Sequence, residues 1–595
     1  MSQNLPVDTI PHRLLAQAKA HADSPALYEK RGADWIATSY AEYAAQVRSA
    51  AKALIALGFQ PGETVCILGF NRAEWAIADV ATMMAGGAPA GIYTTCSATE
   101  VTYVLAHAEA RVVVVEDASQ WEKVRANLES LPALVRVVCM RGLTVDHPVV
   151  QTWEAFLASG ANVPESALDD RLGALKADQM ATLIYTSGTT GPPKGVMLSH
   201  RNLTWTADAA LKLVPVQPHH CSLSYLPLSH IAEQMFSIHL PISAGSQVYW
   251  AESMAKLKDN LAEVQPHVVF GVPRVWEKFY AGLSARLATA TGVKAALVAW
   301  SRGVATEVHA VKNRGGQPGA FLGLKYAIAK KLVFSKMHPL LGLGRAVVCV
   351  SGAAPVSREI LQFFASVDIP IREVYGQSEG SGPTTFNAMD RTRFGSVGPA
   401  IPGCDVTIAP DGEICLRGPN VFLGYYKDKP ATDECLVDGT LHSGDLGAFD
   451  ADGFLTITGR KKDILITAGG KNIAPKNLEA SLKQIPLVAD AVVIGDRRRF
   501  LSALLTLDPE QLQKAADAAG TTPDAVRTAP ATLAAIQTGV DAMNKDLAQV
   551  ETIKKFTVLP APFSPETGEL TPSLKVKRKV VNDKFVAEIE AMYGE

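Results

Sequence analysis

The chain has 595 residues, 48% hydrophobic and 19% charged, with a net charge of −2 at pH 7. That length is too great for one core, so two or more domains are expected. The balanced charge gives no field that would draw nucleic acid, and the composition excludes a disordered or fibrous chain. The eight cysteines (66, 96, 139, 221, 349, 404, 415 and 435) form no C-x-x-C pair. Buried reduced thiols are therefore expected, not a zinc knuckle or a disulfide framework. The opening MSQNLPVDTI has no basic-then-apolar leader pattern, and no apolar run approaches the roughly 18 residues that span a bilayer. These features predict a cytoplasmic protein, with any membrane role peripheral at the inner face. No feature of the chain sets an oligomeric state.

In chain order, Ser39-Tyr-Ala-Glu42 is a capping box that opens a helix running toward Leu57, with Gly58 stopping it. Thr64–Leu68 reads as a buried strand, 72–84 as a helix and Ala88–Ile92 as a short strand. Ser97-Ala-Thr-Glu100 opens a further helix and 111–115 is an apolar strand. Strands alternating with helices predict α/β architecture with parallel sheets and crossover helices. Apolar 181–184 then leads into YTSGTTGPPKGVMLSH, a loop with glycines at 188, 191 and 195, several hydroxyls and Lys194. Glycines let backbone N–H groups turn toward an anion, and the lysine adds charge, so the loop suits nucleotide phosphates. It is not the G-x-x-x-x-G-K-[ST] loop, because Gly188 and Gly191 stand three apart and no hydroxyl follows Lys194.

The segment 282–344 has mostly helical patterning, broken at Gly315-Gly316 and Pro318-Gly319. No acidic residue occurs between Val308 and Arg358, whereas Lys312, Arg314, Lys325, Lys330, Lys331, Lys336, Arg345 and Arg358 do. Two readings stand: a solvated basic face on a packed helix, or a surface resting on anionic lipid where an apolar substrate is collected. After Gly459 the pattern changes to a smaller α+β unit. Strands are predicted over 463–467, 489–494 and 502–507, and helices over 476–484, 531–547 and 580–592.

Six ordered motifs together resemble the adenylate-forming superfamily: acyl-CoA synthetases, peptide-synthetase adenylation domains and luciferases. They are the loop at Tyr185–His200, SGAAP at 351–355, YGQSEG at 375–380, HSGDLG at 442–447, GRKKD at 459–463 and TPSLKVKR at 571–578. FGVPRVWEK at 270–278, ITAGGKNIAP and ELTPSLKVKR are most similar to the long-chain, bubblegum-type fatty-acid–CoA ligases, whose long-chain members also carry an insertion near 282–344. The resemblance implies a large N-terminal domain over 1–458, a hinge at 459–463 and a small mobile C-terminal domain over 464–595.

The same resemblance assigns roles by position. Thr186, Ser187, Gly188, Thr189, Thr190, Gly191 and Lys194 would hold the triphosphate. Gly352, Ala353 and Ala354 would face adenine, with the Tyr375 ring stacked on it, Gly376 and Gln377 also binding the nucleotide and Ser378 contacting the α-phosphate. Asp445, an acceptor-only group, would take both ribose hydroxyls, with Arg460 next to it. Glu379 and Thr189 would ligate Mg²⁺, a hard cation that prefers oxygen. Lys575 would neutralise the transition state, with Lys577 as a second candidate in a run of four basic residues. His230 would line the acyl site, although a lone histidine also suits a packed core. Lys462 would be the hinge, and Gly469, Gly470 and Lys471 would pass the CoA arm after rotation. The predicted function is ATP- and Mg²⁺-dependent synthesis of long-chain fatty acyl-CoA through an acyl-adenylate, with CoA as cosubstrate. The alternatives are a fatty-acyl-AMP ligase loading a carrier protein, a CoA ligase for another hydrophobic or aromatic acid, a luciferase-like oxygenase, and a non-catalytic nucleotide-binding regulator.

Overall fold

The computed structural model describes residues 7–186 and 192–594. Ser187, Gly188, Thr189, Thr190 and Gly191, expected at the phosphates, lie outside the described residues. Two eight-stranded sheets and one five-stranded sheet build the larger part of the molecule. In one large sheet Thr64–Leu68, Ala88–Ile92 and Val112–Val115 run parallel and are buried throughout. Continuous apolar runs are what strands covered on both faces require. Met180–Thr186 joins this sheet in parallel and turns back antiparallel as Lys194–Ser199. The two strands that flank the predicted phosphate loop therefore pair antiparallel, with Thr186 opposite Lys194.

The other large sheet runs parallel from Ile371–Gln377 through Val348–Ser351, Val268–Gly271, Cys221–Ser224 and Gln247–Trp250 to Pro25–Arg31. Antiparallel strands close both edges. Val348–Ser351 and Ile371–Gln377 deliver SGAAP and YGQSEG from their carboxyl ends, where open α/β sheets bind ligands. The third sheet is antiparallel. It places Thr440–Phe449 between Glu413–Arg417 and Leu455–Arg460, with Asp445 directly across from Arg460.

Local signals hold in the structure. Ser39 accepts from the Glu42 N–H and Glu42 answers at the Ser39 N–H; Ser97 and Glu100 do the same. The helices occupy Tyr40–Ala56, Ala73–Met84 and Ala98–His107. In the basic segment, helix Gly292–Lys312 packs against Ala320–Ala329, which continues through a wide turn at Lys330–Phe334. Residues past 464 form their own apolar cores, one around Leu482, Val493, Leu505 and Ile536 and another around Leu504, Phe563, Val581 and Met592. The helix expected over 580–592 is instead two, Arg578–Lys584 and Val586–Tyr593, interrupted at Phe585. The edge strand Ile553–Val558 is an unpredicted element. Its exposed Lys554 and Lys555 mask its pattern, and it pairs in parallel with Leu501–Leu507. No described helix is long and apolar enough to cross a membrane.

Candidate active site

The loop and strand geometry draws the distant motifs into one cleft. Tyr375 leaves its strand largely buried and donates from its hydroxyl to Asp445 Oδ2 at 3.0 Å. Arg460 Nε lies 3.6 Å from Asp445 Oδ1. Burial first, and the Asp445 charge second, push the Tyr375 phenol far above its usual range, so it is a fixed donor. Two glycines permit this approach. A Cβ on Gly376 would sit 1.7 Å from the Gly382 carbonyl oxygen, and one on Gly352 would sit 2.7 Å from Val374 Cγ1. Ala353 follows with φ +69°, a left-handed conformation costly for a residue with a Cβ, and Ala353 and Ala354 are exposed toward solvent. Gln377 ends the strand and buried Ser378 begins a single 3₁₀ turn containing Glu379.

The hydroxyl of Tyr425, a residue not anticipated from the sequence, donates to Glu379 Oε1 at 2.7 Å. The Lys194 ammonium sits 4.9 Å from the centre of the same ring and 3.8 Å from Asp428. Gly424–Tyr425 pairs with Lys194–Ser199, so the sheet edge couples the phosphate-loop lysine to the YGQSEG acid. Only the YY pair at 425–426 hinted at this, and its partners lie far away in sequence.

The C-terminal domain contributes Lys575. Thr571, fully buried, closes a turn: its N–H donates to the Lys575 carbonyl at 2.7 Å and its hydroxyl accepts from the Lys575 N–H at 3.0 Å. Leu574 at the apex has φ +60° and is 63% exposed. A glycine would fit that conformation without strain; leucine bears a cost of about 1–2 kcal/mol. Thr95 of the large domain donates to the Pro572 carbonyl, docking the turn. The Lys575 side chain is exposed to solvent. Crowding by protein, with the charges of Arg460 and Lys476, lowers its pKa, while Asp445 and Glu379 act against that shift. Its neighbours in the basic run differ. Arg578 is tied to Glu479 and to the Val493 carbonyl within the small domain. Lys577 exerts its charge on Cys96.

His230 caps the short helix Ile231–Gln234, its Nδ1 accepting from the Ala232 N–H at 3.1 Å. Burial, then the Lys575 charge, lowers its pKa to about 4, so it is neutral at pH 7. Beneath it lies a polar network that sequence reading missed. Buried Glu233 accepts from Ser224 (2.6 Å), Ser237 (2.8 Å) and the Tyr225 N–H (3.2 Å), and Asn71 donates to Ser224 Oγ and the Leu226 carbonyl. Burial raises the Glu233 carboxyl to about 7 despite these donors. In FGVPRVWEK, Phe270 stacks on Phe236 with ring centres 4.6 Å apart, Trp276 is buried in the core and Arg274 reaches Asp508 of the C-terminal domain at 2.8 Å.

At the predicted hinge, Lys462 is exposed in the 3₁₀ turn Lys461–Asp463. Its neighbour Lys461 reaches back to Asp411 (2.6 Å) and Glu413 (2.9 Å). Burial pushes the Glu413 carboxyl up, but Lys461 and His442 outweigh it and hold the group below its usual range. Gly469, Gly470 and Lys471 form an exposed hairpin tip, closed by the Thr467 N–H donating to the Lys471 carbonyl at 3.0 Å. Its hydrogen bonds are local, and the Lys575 turn is what docks on the large domain.

Two sheets whose strand ends meet a small α+β domain across such a cleft are the architecture of an adenylate-forming enzyme. The chain belongs to the AMP-binding enzyme family: the family model "AMP-binding enzyme" matches residues 14–426, and "AMP-binding enzyme C-terminal domain" matches 462–595. It is 41% identical to the Xenopus laevis long-chain-fatty-acid–CoA ligase ACSBG2, covering 99% of this chain and 84% of that one. It is 40% identical to the long-chain-fatty-acid–CoA ligase FadD15 of Mycobacterium bovis, covering 94% and 93%. The crystal structure of the anthranilate CoA ligase AuaEII with anthranoyl-AMP shares the fold at TM-score 0.72 and 18% identity, over 99% of each chain.

Proposed function

We propose that this protein is an AMP-forming acid–thiol ligase that makes long-chain fatty acyl-CoA in two half-reactions. A carboxylate oxygen of the acid attacks the α-phosphorus of ATP. The bond to the β-phosphate bridging oxygen breaks, and pyrophosphate leaves with its electrons. The CoA thiol, giving up its proton, then attacks the carbonyl carbon of the acyl-adenylate, and AMP departs. The carrying observation is the Tyr375–Asp445–Arg460 cluster on the large domain, with Lys575 of the C-terminal domain near enough to feel the charges of Asp445, Arg460 and Glu379.

In this reading Tyr375 stacks on adenine while its hydroxyl holds Asp445 in place, and Asp445 accepts from the ribose hydroxyls. Lys194 and the loop around 187–191 hold the outer phosphates. Glu379 would help hold Mg²⁺ on the triphosphate, where it would supply charge neutralisation. The Glu379 carboxylate fits that hard cation, since Tyr425 orients one of its oxygens. Lys575 stabilises the charge that develops on the α-phosphate. Neutral His230 sits at the acyl end, its ring fixed by the Ala232 N–H that Nδ1 accepts. Residues 1–458 and 464–595 act as separate domains about 459–463, so that the Gly469–Lys471 tip can replace Lys575 for the thioester step. A long-chain acid is sparingly soluble, and the acid-free basic segment at 308–358 makes the enzyme peripheral at an anionic membrane where such acids collect.

The test is product analysis by mass spectrometry with ATP, Mg²⁺ and palmitate, with and without CoA. Palmitoyl-CoA and AMP formed only when CoA is present support the ligase. Acyl-adenylate that CoA does not consume would instead indicate a ligase that loads a carrier protein.

A further inference from the structure

The basic segment is more specific in three dimensions than in sequence. Helix Ala320–Ala329 and the turn Lys330–Phe334 bury only one side, Ala329, Val333 and Phe334, against helix Gly292–Lys312. The other side leaves large apolar side chains in water: Phe321 is 71% exposed, Leu324 61%, Ile328 42% and Leu332 44%. Their spacing of three, four and four residues puts them on one helical stripe. Leu340, on the next 3₁₀ turn, extends the apolar surface. Single exposed apolar residues are ordinary, but a contiguous row of this size marks a binding surface.

The charges beside the row select its occupant. Lys331 and Lys336 are exposed, and the Lys325 ammonium lies 4.5 Å from the centre of the Phe321 ring. No acidic residue occurs from Val308 to Arg358 to balance them. A second copy of this chain docking symmetrically would bring these lysines face to face with their equivalents, which is unfavourable. An anionic lipid surface instead offers an apolar interior for the row and negative headgroups for the lysines.

We propose that the Phe321–Leu332 stripe, flanked by Lys325, Lys331 and Lys336, is the element that docks this enzyme on anionic bilayers and delivers long-chain acid from them. The docking stands on the surface itself; the delivery rests on the fatty-acid ligase reading. Burying the stripe in the headgroup region needs no change in the fold, because its side chains are already exposed. Each flanking lysine contributes on the order of fivefold to the partition coefficient at low salt. That part fades as the Debye length shrinks from about 30 Å at 0.01 M to about 8 Å at 0.15 M ionic strength.

The experiment is co-sedimentation of the full chain with phosphatidylcholine vesicles, with and without phosphatidylglycerol, at low and physiological salt. The wild type should bind the anionic vesicles at least tenfold more tightly than the neutral ones, more so at low salt. F321S/L324S/I328S should lose binding by tenfold or more, and K331E/K336E should lose the salt dependence. V550S, which removes an exposed apolar residue elsewhere, should change nothing. Ligase rates on detergent-dispersed acid should be equal in all four proteins, while rates on vesicle-borne acid should fall in the first two variants. Binding that survives the triple substitution, or wild type that fails to bind, overturns the assignment. So would a lipid-free dimer that the triple substitution abolishes, which would give the stripe to a second copy. Because sedimentation needs no turnover, a protein that binds but makes no acyl-CoA would count against the ligase reading and not against the docking surface.

Discussion

Replacing Asp445 with alanine tests the nucleotide geometry. In the structure this carboxylate accepts from Tyr375 at 3.0 Å and lies 3.6 Å from Arg460, and the ribose is proposed to add two further donors. A hydrogen bond to a charged acceptor is worth about 1.5–3 kcal/mol net. Losing both ribose contacts, with some replacement by water, should cost about 3 kcal/mol, or on the order of 100-fold in kcat/KM for ATP. Asp445→Asn keeps one acceptor and should lose roughly tenfold. The folded protein also loses the acceptor for a buried phenol, about 1 kcal/mol of stability; the half-exposed Arg460 contributes little because solvent screens it. The assay is pyrophosphate release across an ATP series, repeated with 2′-deoxy-ATP. In the wild type the missing hydroxyl should cost about tenfold, and in Asp445→Ala it should cost almost nothing, since its partner is already gone. A folded Asp445→Ala protein with unchanged ATP dependence would refute the reasoning, as would a 2′-deoxy penalty equal in both proteins.

Lys575→Ala should lower single-turnover adenylation by 100-fold or more while leaving thioester formation from supplied acyl-adenylate within a few-fold of wild type, and Lys462→Pro should do the reverse, because proline fixes φ near −65° at the hinge; equal slowing of both steps by Lys575→Ala would contradict domain alternation. Glu233, raised from 4.5 to about 7, keeps a proton in the folded state that the unfolded chain releases. Stability should therefore fall as pH rises between about 4.5 and about 7, by at most roughly 3 kcal/mol, and level off above. Glu233→Gln should flatten that dependence in urea unfolding at about pH 5 and about pH 7.5, and an identical slope in both proteins would show that the carboxyl is not the titrating group.

Much of the large domain was legible because its signals are local. Thr64–Leu68 and Val112–Val115 read as buried strands because parallel strands covered on both faces are apolar throughout. The Ser39 and Ser97 capping boxes are each closed within four residues. What was hidden depends on partners far along the chain. Tyr425 acquires meaning only when its strand pairs beside Lys194 and its hydroxyl meets Glu379. The Glu233 network requires Asn71 from the neighbouring sheet. Lys575 and Lys577 look equivalent in LKVKR, but the fold brings the first within reach of the Asp445 and Glu379 charges and the second near Cys96. Strand Ile553–Val558 hides behind two lysines because an edge strand need not be apolar.

The most direct test of the account is a chain-length series of carboxylic acids, from short to very long, assayed for AMP release and acyl-CoA formation with ATP, Mg²⁺ and CoA. The account predicts one AMP and one pyrophosphate per acyl-CoA, with kcat/KM rising toward long chains as each buried methylene adds up to about 0.8 kcal/mol until the pocket is filled. AMP release that peaks with short or aromatic acids, or that proceeds without acyl-CoA, would contradict it.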